Sequence, residues 1–127
     1  MKTKDLVTLV ITTTFLLATI PDADAGSIRV RCEKRPHRSK ISVDGNDLVP
    51  GLYRAVVKSK KNRRSSPLQP TIGDEVELDF DSNPGNIAAG ATPISKTFVK
   101  KSVTAKIIDE AGFTVVSDTV NCRVRKS

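Results

Sequence analysis

Between residues 27 and 125, apolar and polar side chains alternate with a period of two in short runs, each closed by a cluster of turn formers. A period of two sends successive side chains to opposite faces of an extended strand, so each run reads as a β-strand with one buried and one wet face. In Ser27 to Glu33, residues Ile28, Val30 and Cys32 fall on one side and Arg29, Arg31 and Glu33 on the other. In Glu75 to Asp81 the separation is cleaner, with Val76, Leu78 and Phe80 opposed to Glu75, Glu77, Asp79 and Asp81. Further strands are expected at Ile41 to Val43, Leu52 to Lys58, Thr97 to Ile108 and Phe113 to Ser117, and a last one runs through Val120, Cys122 and Val124. Turns fall at Asp44 to Asp47, at Asn83-Pro84-Gly85 and at Asp109 to Gly112, and Ile87 to Thr92 reads as a small-residue loop. No window carries a helical period, and seven scattered prolines oppose long helices.

The two cysteines sharpen this pattern. Cys32 and Cys122 lie on the inward side of the first and last strands, near the two ends of the alternating region. A bridge between them closes nearly the whole domain. Reduced thiols holding a metal are disfavoured, because no C-x-x-C spacing occurs and His37 is the sole histidine. The chain also has the start of an exported protein. Lys2 and Lys4 precede an apolar run from Leu6 to Ile20, and Ala23-Asp24-Ala25 supplies the small residues of a cleavage site. Residues 1–25 therefore read as a signal peptide cleaved before Gly26, and 26–127 as one domain; a 15-residue helix rises about 22 Å, short of the ~30 Å hydrocarbon core. No later segment is apolar enough to span a membrane, which places the product in the periplasm or outside the cell, where disulfides persist.

About seven short strands in about 100 residues is the count of an immunoglobulin-like antiparallel β-sandwich. Ile107 to Val115, with its Asp109-Glu110-Ala111-Gly112 turn, resembles the terminal hairpin of bacterial immunoglobulin-like repeats. The chain departs from true immunoglobulin domains in having no Trp and in bridging its first and last strands. The resemblance implies architecture only.

Charge is the remaining signal. The full chain carries +7, and removing residues 1–25 takes away two lysines and three aspartates to leave +8. The sharpest cluster is Lys58, Lys60, Lys61, Arg63 and Arg64, read as a basic loop that meets carboxylate or phosphate groups, with Arg35, Arg38 and Lys40 as a second basic segment. Nucleic acid is disfavoured by the export signal and by the shortage of aromatic rings for stacking. An anionic envelope polymer or head group is the expected partner, and no cofactor motif is present. Asp79, Asp81 and Asn83 give a weak calcium alternative, since their spacing is that of a calcium loop whose glycine falls one place late and whose twelfth residue is Gly90. Catalysis is not expected: there is no nucleophile elbow, and His37 sits among cations with no carboxylate to orient it. The expected function is electrostatic binding by an exported module. The alternative is a structural or protein-interaction module that offers a sheet edge or the acidic Glu75 to Asp81 face.

Overall fold

The computed structural model describes residues 26–126; the signal-peptide reading lies outside them. Ten strands and one short helix follow in order: β1 (Ser27–Arg35), β2 (Arg38–Asn46), β3 (Leu52–Ser59), β4 (Asn62–Ser65), β5 (Gln69–Pro70), β6 (Val76–Asp81), α1 (Pro84–Ala88), β7 (Thr92–Pro93), β8 (Ser102–Asp109), β9 (Thr114–Asn121) and β10 (Arg123–Val124). They form two sheets. One runs β10-β1-β2-β6-β7, and the other β4-β3-β8-β9 with β5 also on β3. Their inner faces share one core: Ile41, Val43, Leu78 and Phe80 from the first sheet, and Ala55, Val57, Val103 and Ile107 from the second. The expected inward positions Val30, Cys32, Val76, Leu78 and Phe80 are all buried.

Several local expectations are corrected. The sheets are not wholly antiparallel, because the two-residue strands β7 and β10 pair in parallel with β6 and β1. Residues 97–101 are not strand, and β8 begins at Ser102. The last two expected strands are one strand, β9, which breaks at Cys122 as the chain leaves the second sheet to join β1 in the first. That crossing turns Val124 outward, to 60% exposure, against its expected inward position. A helix also appears where only a turn and loop were expected. Asn83 caps it by accepting from the Gly85 and Asn86 amides, and Pro84 stands at its start, where a missing N–H costs nothing.

The disulfide joins Cys32 of β1 to Cys122 at this crossing, across 90 residues of chain. It fastens the C-terminal strand across the gap between the two sheets.

Gly45 shows how closely they pack. It lies on the inner side of β2, where an added Cβ would stand 2.7 Å from Ile107 Cδ1 and 2.9 Å from Leu48 Cδ1. Gly45→Ala is therefore expected to overpack the core and cost ~1–3 kcal/mol in chemical denaturation. A denaturation midpoint equal to the parent's would show that Ile107 and Leu48 yield freely.

Candidate functional basic end

The stretch expected as a basic loop is a two-residue β-hairpin. Ser59 pairs with Asn62 and Lys58 with Arg63, leaving Lys60 and Lys61 at the tip. Lys60 takes a positive φ of 53°, a left-handed conformation that Asn or Gly holds more comfortably. Lys58 and Arg63 face each other directly across the ladder, an unfavourable placement for like charges. Arg64 lies on the opposite side of β4, bordering Gly90 to Pro93. The sequence signal for β4 was weak because its Asn-Arg-Arg-Ser carries no apolar residue.

The second basic segment forms the β1–β2 turn, in which Arg35 pairs with Arg38. Both hairpin tips lie at one end of the molecule. Residues 95–101, which carry the chain from the first sheet to the second, bind them together. Two buried serines, one per sheet, make the join. Ser39 Oγ donates to the Lys96 carbonyl (2.8 Å) and accepts from the Val99 amide (3.1 Å). Ser59 Oγ donates to the Ser102 carbonyl (2.8 Å) and accepts from the Lys100 amide (2.8 Å). Asn62 Nδ2 donates to the Phe98 carbonyl (2.8 Å), and Lys34 Nζ reaches that of Val99 (3.4 Å). The C-terminal segment comes to the same end, where the Cys122 amide donates to the Lys101 carbonyl and the Arg125 amide to that of Lys34.

Four segments thus converge: 35–38, 60–63, 95–101 and 123–126. They supply eleven Lys and Arg and no Asp or Glu. Sequence reasoning missed Lys96, Lys100, Lys101, Arg123, Arg125 and Lys126 as site residues: Lys100 and Lys101 fell inside a strand expected over 97–108, Arg123 and Arg125 read as the wet face of the last strand, and the adjacent pair Lys100-Lys101, which breaks the alternation, was the available sign. The outer face of β3, β4 and β8 extends the charge. Arg54, Lys58 and Lys106 alternate there with inward core residues, and Val56 on the same face, between Arg54 and Lys58 along β3 and opposite Lys106, is only 7% exposed.

Not every expected cation is free for a ligand. Arg38 is taken up by Asp81, with Nε to Oδ1 at 3.0 Å and Nη2 to Oδ2 at 2.7 Å. Asp81 also accepts from the Asn83 amide (2.9 Å) and from Asn86 Nδ2 (2.7 Å). Burial alone would raise its pKa, but the Arg38 guanidinium and the two asparagine donors outweigh burial and hold it below the usual aspartate value. Glu33 behaves likewise: Arg125 and Arg35 bind it and outweigh the burial that would raise it. Lys40 is exposed on the outer face of β2, in register with Glu33 and Asp81. The calcium alternative meets the same obstacle. Asp81 is saturated by donors and the Asn83 side chain caps α1; only Asp79 keeps a buried, unpartnered Oδ1.

No helix among the described residues is long and apolar enough to cross a membrane. No protein-family model matches the chain, and no curated protein matches it either.

Proposed function

We propose that this chain is an exported, immunoglobulin-like binding module that docks through its basic end on an anionic polymer or surface of the cell envelope and performs no catalysis. One observation carries the reading: four segments distant in sequence, none of which contains a carboxylate, gather eleven cations at one end, and among the described residues only Arg35, Arg38 and Arg125 of these are neutralised, by Glu33 and Asp81. Concentrating like charge costs folding energy through self-repulsion, a cost that an anionic partner reverses. The disulfide fits a non-reducing compartment, as the export reading requires. Phosphates and carboxylates suit the exposed lysines as point-charge partners. With Arg35, Arg38 and Arg125 engaged by Glu33 and Asp81, the hairpin-tip pair Lys60 and Lys61 and the crossing pair Lys100 and Lys101 are assigned as the principal contacts, with Arg63, Lys96, Arg123 and Lys126 beside them.

The test is co-sedimentation of the oxidised protein with vesicles of anionic or zwitterionic lipid across a salt series. A variant combining Lys60→Asn, Lys61→Ser, Lys100→Ser and Lys101→Ser runs alongside; Asn at position 60 accepts the left-handed backbone. At about fivefold per cation near an anionic surface, four removals weaken partitioning several hundredfold. Pelleting that is equal for both proteins, or indifferent to salt, would overturn the reading. The alternative, a protein-interaction module, draws on β9, which is the outer strand of its sheet and leaves one backbone edge open. Binding to a protein partner that survives loss of the four lysines would favour it.

A further inference from the structure

The opposite end of the molecule has the opposite sign. Residues 46–51, 71–75 and 109–113 contain five carboxylates and no Lys or Arg. They lie together because the Leu48 amide donates to the Asp74 carbonyl (3.0 Å) and the Thr71 amide to that of Gly51 (2.9 Å). Tyr53, paired with Asp109 across the ladder, donates its hydroxyl to the Val49 carbonyl (2.6 Å). Exposed apolar side chains collect here too: Val49 at 59%, Ile72 at 87% and Phe113 at 71%. Large apolar groups rimmed by charge are the anatomy of a contact surface. The only other large apolar residue so exposed among the described residues, Val124, stands at the basic end between Arg123 and Arg125.

We infer that the acidic end receives the basic end of a second copy of this chain, so that molecules join head to tail. The two surfaces complement each other in charge. Asp47, Asp74, Glu75 and Glu110 are exposed opposite numbers for Lys60, Lys61, Lys100 and Lys101, while Val124 and the lysine stems offer apolar cover to Ile72 and Phe113. The eight residues of β3 hold the ends roughly 25 Å apart. Each contact therefore uses a different patch on each partner, and every pair keeps one free end of each sign for growth. The net charge of residues 26–127 repels copies at long range, so contact is favoured at moderate salt, where that repulsion is screened beyond about 8 Å, and is lost at high salt. Polyanion binding differs, since it strengthens steadily as salt falls. A polyanion on the basic end competes with this contact.

Sedimentation velocity of the oxidised protein without any polymer tests the inference. At 0.15 M salt the average sedimentation coefficient should climb with concentration and continue past the dimer, and at 1 M salt it should not. Asp74→Asn with Glu75→Gln should weaken this association at least tenfold while leaving vesicle binding intact, which separates failure here from failure of the basic-end reading. The four-lysine variant should weaken it similarly. Mixing the two variants should restore a one-to-one pair that grows no further, because each supplies one intact end. A monomer at every concentration, a closed dimer, or a mixture that behaves as its separate components would overturn the inference.

Discussion

Cys32→Ala with Cys122→Ala is expected to lower stability by ~2–5 kcal/mol, the largest loss any substitution here should produce. The bridge closes 90 residues, so in the chain-entropy account its removal frees nearly the whole domain in the unfolded state. For a domain near 100 residues a loss of ~3 kcal/mol lowers Tm by roughly 12–24 °C. The native state has a stake as well. Beyond Cys122 the chain is held by two β10 pairings, the hydrogen bond that the Arg125 N–H donates to the Lys34 carbonyl and the ion pair of Arg125 with Glu33. Hydrogen exchange in the variant should therefore show the amides at positions 122 and 125 opening ahead of the β2 and β8 amides. Loss of that segment removes Arg123, Arg125 and Lys126 from the basic end, so polyanion binding should weaken along with stability. A variant that melts within about 2 °C of the parent would show that packing alone fixes the crossing.

Arg38→Ala comes next, with an expected cost of about 2–4 kcal/mol. Asp81 is 2% exposed at its side chain, and removing its bidentate partner leaves a buried carboxylate with only the two asparagine donors. Arg38→Lys keeps the charge but not the two-pronged geometry and should fall between the two. The same pair shapes the acid response. The pKa of Asp81 is lower in the folded than in the unfolded chain, so its contribution is complete above the unfolded value of about 4 and disappears as pH falls through the folded value. Glu33 adds a contribution of the same sign. Urea midpoints measured from pH 7 to pH 2 should therefore drop below about pH 4, and the drop should be shallower in Arg38→Ala. Equal stability of that variant at pH 7, or a parallel acid profile, would remove the pair from any structural role.

Arg38 also shows where sequence reasoning stops. Its basic neighbourhood marked it as a ligand contact, yet its guanidinium is committed to a carboxylate 43 positions away. Asp81, grouped with a calcium loop by spacing, is the other half of that pair. Nothing local distinguishes a free cation from a paired one; register decides it, by laying Lys40 opposite Asp81 and so bringing Arg38 within reach.

The alternation by itself determined that the chain is β-rich, which face of β1 and β6 turns inward, and that both cysteines meet the core, because burying one face of a strand enforces a period of two. Elements that bury no apolar side chain left no such mark: β4 is an exposed edge held by backbone pairing, and β7 and β10 are two residues each, with only Thr92 of β7 buried. The charge of each turn was equally plain in sequence, but the end to which each turn belongs was not. Counting the seven expected runs as simply alternating up and down would place the acidic turn Asp109 to Gly112 beside the basic hairpin. The fold separates them, because β4 adds a reversal and residues 82–101 carry the chain between sheets without changing ends. Strand direction is a property of the assembled sheets, so only the tertiary structure could gather the cations at one pole and the carboxylates at the other.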